Sequence, residues 1–126
     1  IALGLLAEHQ VPDGSALFNL MRNLGGAIGI ALIDTVIWKR SAIHAEAIGT
    51  KLLEQDEATA AFAGIDINDI PPVGFIPPET LIEGIRPIVE NAGLTMAINE
   101  AWAMLAIFTA FGLLLTVFVD RSAGSN

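Results

Sequence analysis

Two stretches of this chain are almost free of charge, and a polar stretch separates them. Ala16–Trp38 carries only Arg22 and Asp34 among mostly apolar positions, and Ala101–Val119 runs for 19 residues without a charge. A core helix of a soluble protein would interleave charges at helical spacing along its length. Segregation on this scale instead predicts two helices that cross a lipid bilayer. At about 1.5 Å per residue, Ala16–Trp38 reaches about 34 Å, enough for a hydrocarbon core about 30 Å thick. Trp38 followed by Lys39-Arg40 marks a helix leaving lipid. Trp102 lies near the start of the second span, and Asp120-Arg121 ends it.

Lys39–Glu100 reads as a long polar loop. Ser41–Glu57 predicts a helical extension of the first span into water. Ala58–Pro78 contains Gly64, Pro71-Pro72, Gly74 and Pro77-Pro78, which predicts an irregular connection. Glu79 opens an amphipathic helical segment. Pro87 is expected to end or kink it, since proline lacks the amide donor of the helix ladder, and Asn91-Ala92-Gly93 to weaken it. Large apolar residues do not recur regularly in this loop, so no separate domain is expected. Upstream, Ile1–Ala7 is apolar but too short to span and reads as the end of a truncated preceding helix. Glu8–Ser15 reads as a turn, with Asp13 or Ser15 capping the next helix, and residues 120–126 as a polar tail. The expected fold is an all-α membrane protein with two transmembrane helices.

Composition sharpens this picture. The chain is 53% hydrophobic and 16% charged, with a mean hydropathy of +0.61; soluble domains carry about 25% charge. The net charge of −8 argues against a nucleic-acid partner, which requires a basic face. The absence of cysteine excludes disulfides, thiolate metal sites and cysteine nucleophiles. His9 and His44 have no second ligand at metal spacing, and Glu54-Gln55-Asp56-Glu57 lacks the spacing of a calcium loop. No Ser/His/Asp set suggests hydrolysis, so neither enzyme activity nor a metal or cofactor is expected. Phe108 and Phe111 suit lipid contact or bundle packing. The loop holds four basic and ten acidic residues, but topology follows Lys and Arg rather than net charge, so charge alone does not orient the chain.

The chemistry concentrates in Ser15–Leu32. Gly25 and Gly29 form a small-xxx-small pair, thickened by Gly26, Ala27 and Ala31. Such residues let a second helix backbone approach closely within lipid. Arg22 falls on the face of Gly25, Gly26 and Gly29. A guanidinium there is costly against hydrocarbon, so it points to a protein interior, a wet cavity or the headgroup region. The glycines are not a phosphate loop, because no Lys-Ser/Thr follows.

Taken in order, Ser15, Asn19, Arg22, Gly25, Gly26, Gly29 and Ala31 resemble the next-to-last helix of the fourteen-helix drug:proton antiporters of the major facilitator superfamily. Lys39–Glu100 and Ala101–Val119 look like that family's long extracytoplasmic loop and last helix. The resemblance implies that Ile1–Ala7 ends the twelfth helix, that Glu8–Ser15 and the tail are cytoplasmic, and that Arg22 lies near the cytoplasmic entrance. It implies multidrug efflux across a bacterial cytoplasmic membrane. The partners would be the remaining helices of the transporter, the lipid bilayer, amphipathic small molecules and protons. Arg22 then either couples transport by pairing with an acidic residue elsewhere or makes a fixed ion pair. Asp34 is either a protonatable carboxylate or an interfacial one, four residues before Trp38. The glycines serve either as a hinge or as static packing. A reading of another class is a two-span scaffold or sensor whose acidic loop binds something outside. A soluble helical protein with a very apolar core is the third.

Overall fold

The computed structural model describes residues 11–123. The expectations for Ile1–Ala7, for Glu8-His9-Gln10 and for the last three tail residues lie outside them. Three α-helices follow in order: α1 over Val11–Leu53, α2 over Glu57–Ala63 and α3 over Glu79–Ala123, with a 3-10 turn at Ile67–Asp69 between α2 and α3. No strand occurs among the described residues. Both long helices are apolar and long enough to cross a bilayer, and the most apolar window of each is bare of protein cover. The fold is that of an all-α membrane protein. Val11–Ser15, expected in a turn, is already helical, and α3 runs to Ala123, past the expected end at Val119.

The chain divides into two compact units, residues 1–35 and 36–126. In the first unit, α1 carries outward-facing Leu17, Phe18, Leu20, Met21, Leu24, Ile28 and Ile30. Exposed side chains of this size suit a hydrocarbon solvent, where apolar surface carries no hydration penalty.

The second unit contains the packed part of the molecule. The C-terminal part of α1, the connection and the N-terminal part of α3 enclose a core of Ile48, Leu52, Ala60, Ile65, Ile70 and Ala92. Ile85, Val89 and Met96 of α3 pack against it. We call this assembly the cap. Its irregular segment is held by local chemistry. The Asp56 carboxylate caps α2 by accepting from the Thr59 amide and hydroxyl. Gly64 ends α2 in the left-handed region at φ +73°, where its amide reaches back to α2 carbonyls. Asp66 accepts from the Asn68 amide at 2.9 Å. These hydrogen bonds hold the Asp56 and Asp66 carboxyls below the usual carboxylate range, from the Thr59 hydroxyl and the Asn68 amide first.

Pro87 does not end the helix: α3 runs unbroken from Glu79 to Ala123 with Pro87 inside it. Pro87 is the ninth residue, so the one amide it removes would have bonded to Glu83, in an exposed part of the helix. Packing of Ile85 and Val89 on either side offsets that loss.

Candidate functional site

The residues singled out by the glycine-rich pattern all lie on α1. Asn19, Arg22, Gly25 and Gly26 are exposed and Gly29 is half-buried. A Cβ added at Gly25, Gly26 or Gly29 would meet nothing within 4 Å among the described residues. Arg22 and Asp34, both on this exposed helix, have no ion-pair partner among the described residues. Thr35, one residue beyond Asp34, bonds back to the Ala31 carbonyl at 2.7 Å. This helix therefore presents a guanidinium and a flat strip of small residues on an open surface. An arginine cannot remain against hydrocarbon cheaply, and small residues are how a lipid-embedded helix admits a neighbour.

A second cluster ties α1 to α3 where both leave the spans. Arg40 donates from Nε to Glu100 Oε2 at 2.5 Å and from Nη2 to Glu100 Oε1 at 2.7 Å, a two-point guanidinium–carboxylate pair. His44, one turn beyond Arg40, brings Nε2 to 3.0 Å from Glu100 Oε1. That nitrogen is fully buried, and it lies off the line of a hydrogen bond. Arg40 first, then His44, holds the Glu100 carboxyl well below its usual range, at about 2; the same pairing raises Arg40.

Beside this pair the two backbones touch. A Cβ on Gly93 would lie 2.7 Å from both the Ser41 carbonyl oxygen and the Ala45 amide nitrogen. Residue 40 pairs with 100, and 41 and 45 meet 93, so the helices run antiparallel. Gly93, Ala97 and Ala101 are buried at four-residue spacing on one stripe of α3. Asn91-Ala92-Gly93 is thus no weak point. Glycine there costs helix propensity but permits a backbone contact that any side chain would block. The signal for it was present, since Gly93-xxx-Ala97-xxx-Ala101 repeats the spacing of Gly25-xxx-Gly29. The pairing of Arg40 and His44 with Glu100 had none, because the three are 60 and 56 residues apart.

Among the described residues no group of three acidic or histidine side chains could hold a metal ion. What the chain offers is two helices apolar enough to cross a membrane, one with a bare, polar-marked small-residue strip, and an ion pair that joins α1 to α3 at Arg40 and Glu100.

The chain is 30% identical to the colistin resistance protein EmrB of Acinetobacter baumannii over 129 aligned residues, 96% of this chain. It is 33% identical over 85 residues to the uncharacterized MFS-type transporter YcnB of Bacillus subtilis, across 68% of this chain. The chain is homologous to a segment of major facilitator superfamily transporters. It spans 24% of the length of EmrB and 17% of that of YcnB. These relatives are transporters rather than enzymes, and the likeness to them together with two apolar helices makes this a membrane protein of a bacterial type. No family profile matches the chain, and no solved structure matches it.

Proposed function

We propose that this chain works as part of a proton-coupled secondary transporter that exports amphipathic toxic compounds across the cytoplasmic membrane. In this reading it supplies the last two helices of the transporter. The observation that carries it is the strip of Asn19, Arg22, Gly25, Gly26 and Gly29 lying open on an apolar helix. An uncovered arginine beside small residues in lipid calls for further helices against that face, and major facilitator transport works by rocking such packed halves around a central path. The likeness to a colistin resistance protein supports a toxic amphipathic substrate. The strip then serves the packing or gating of the C-terminal half, the cap lies on the extracytoplasmic side, and Asp34 is an additional protonatable group near the outer end of its span.

The test is transport by the full-length protein in proteoliposomes. An imposed proton gradient should drive uptake of a fluorescent cationic dye into vesicles of the appropriate orientation, and dissipating the gradient should stop it. Dye movement that ignores the gradient would overturn proton coupling. No dye movement, with intact uptake of another solute class, would overturn the substrate assignment.

A further inference from the structure

Gly93 lets α1 and α3 touch, but toward the start of α3 the two helices enclose space instead. A cavity of about 410 Å³ lies there, within the size range of small-molecule sites. Ala45 and Gly49 of α1 line one wall, and Ile85 and Val89 of α3 the other. The strap between the 3-10 turn and α3, residues 70–78, adds Pro71 and Pro77. The strap is fixed at its base. The Gln55 side-chain amide donates to the Ile70 and Pro71 carbonyls at 3.1 and 2.9 Å, pinning it to the end of α1. Walls held in place lose little conformational freedom when a ligand enters.

Gly49 shows that the space is not a packing accident of large side chains. It lies inside α1, where glycine costs helix stability relative to alanine. At Gly93 a backbone contact offsets that cost. A Cβ at Gly49 would meet nothing within 4 Å, so no neighbour among the described residues requires glycine there. What glycine gives at this position is room in the cavity.

The lining also carries two charged side chains, Arg86 and Glu90, and every other lining residue is apolar. The two sit one turn apart on α3, at the spacing of a helix ion pair, but in the weaker order with the cation first. Both are exposed, and neither has an ion-pair partner among the described residues. A ligand with one charge would satisfy one of them and set the other against like charge. A ligand with no charge would leave both unpaired beside apolar surface. A ligand with both charges answers both, and charge-assisted hydrogen bonds are the strong ones.

We propose that this cavity binds a short apolar zwitterion, its anionic end on Arg86, its cationic end on Glu90 and its apolar body between Gly49 and Ile85. A hydrophobic dipeptide has this chemistry. Its termini stand up to about 7 Å apart, against about 6 Å between Cβ atoms one helix turn apart. The site is built from the cap alone and does not rest on the transport reading.

The experiment is equilibrium binding of tritiated phenylalanyl-phenylalanine to the full-length protein in nanodiscs, with no proton gradient. Saturable binding is expected. The N-acetylated dipeptide, which keeps only the anion, and the C-terminal amide, which keeps only the cation, should each bind about tenfold more weakly. Glu90→Gln should lower zwitterion affinity to that of the N-acetylated form and leave the latter unchanged. Arg86→Gln should do the same with respect to the amide. Gly49→Leu should abolish binding of all three while hydrogen exchange across residues 40–100 stays as in the wild type. Absence of saturable binding would overturn the proposal. So would equal binding of the three compounds, affinities indifferent to Arg86→Gln and Glu90→Gln, or binding that survives Gly49→Leu, which would place the ligand elsewhere in the transporter. Binding is read without transport, so a failed site and a failed transport reading give different results.

Discussion

The spans and the cap are built on the same two helices, yet they use small residues to opposite visible effect. In the cap, Gly93 lets α3 touch the backbone of α1 at Ser41 and Ala45, and both partners of the contact belong to this chain. In the first span, Gly25, Gly26 and Gly29 form an equally flat strip, where an added Cβ would meet nothing within 4 Å among the described residues. In water, the cap must bury its apolar groups and satisfy its polar ones locally, and it does so with a core, helix caps and an ion pair. In lipid, apolar surface needs no burial, so it is the small-residue strip and the charged side chains of Arg22 and Asp34 that call for a partner. A bare strip in a membrane helix thus reads as one half of an interface.

The sharpest way to break this contrast is to put a large side chain on each strip. Gly93→Leu forces a side chain into two backbone atoms that cannot yield. The cap should lose about 3 kcal/mol, an overpacking cost at the upper end of the usual range. Hydrogen exchange across residues 40–100 of the full-length protein would report it as lost protection. Gly25→Leu should leave that protection unchanged and instead impair assembly and activity. Normal activity would mean that its face meets lipid.

Arg22→Ala is next in size. With the guanidinium removed, any acidic partner in low dielectric is left uncompensated. Efflux at matched expression should fall on the order of tenfold, equivalent to about 1.4 kcal/mol in the barrier. Unchanged drug resistance at equal protein level would remove Arg22 from the working part of the molecule.

The clamp between α1 and α3 gives a smaller, pH-dependent effect. The Glu100 carboxyl is held at about 2, against 4.5 for an unpaired glutamate. Because the folded value is the lower one, the clamp's contribution is complete above pH 4.5 and is lost as the pH falls toward 2. Glu100→Gln should therefore weaken the α1–α3 contact at neutral pH and flatten its acid dependence across that window. The distance between spin labels placed on facing turns of the two helices, followed from pH 6 downward, would read this directly. A wild-type profile already flat between 4.5 and 2 would contradict the pairing. The arginine and glutamate are each about two-fifths exposed, so solvent screens the pair.

The spans were legible because lipid imposes a long, simple pattern: 19 or more mostly apolar residues leave a mark that no local exception erases. The cap was less so. Its core draws Ile48 and Leu52 from α1, Ile65 and Ile70 from the connection and Ala92 from α3. Ile48 with Leu52, and Ile85, Val89, Ala92 and Met96, keep helical spacing on their own helices, but Ile65 and Ile70 follow irregular backbone and no pattern along the chain joins the three sets. Pro87 fails to end α3 for a local reason. The rule concerns a missing donor and a clash one turn back, and in the exposed start of a long, packed helix neither is decisive. Asn19, Arg22 and the glycines stood out in the sequence through their order. What they touch lies in contacts that neither the chain's pattern nor its cap supplies.

The smallest effect tests whether the connection is as fixed as the strap it carries. Gly64 ends α2 at φ +73°, and a Cβ there would meet no atom within 4 Å. Any cost of Gly64→Ala is therefore backbone strain alone, about 1 kcal/mol for a residue other than glycine in the left-handed region. Gln55, at φ 63°, already bears that conformation, and the hydrogen bonds from its side chain to Ile70 and Pro71 offset the strain. Gly64→Ala has no such compensation. It should raise hydrogen exchange in α2 and the 3-10 turn by about fivefold, the equivalent of that energy, and leave the α1–α3 contact at Gly93 untouched. Equal loosening at both places would mean that the cap opens as one unit, with the connection and the helix crossing sharing a single stability.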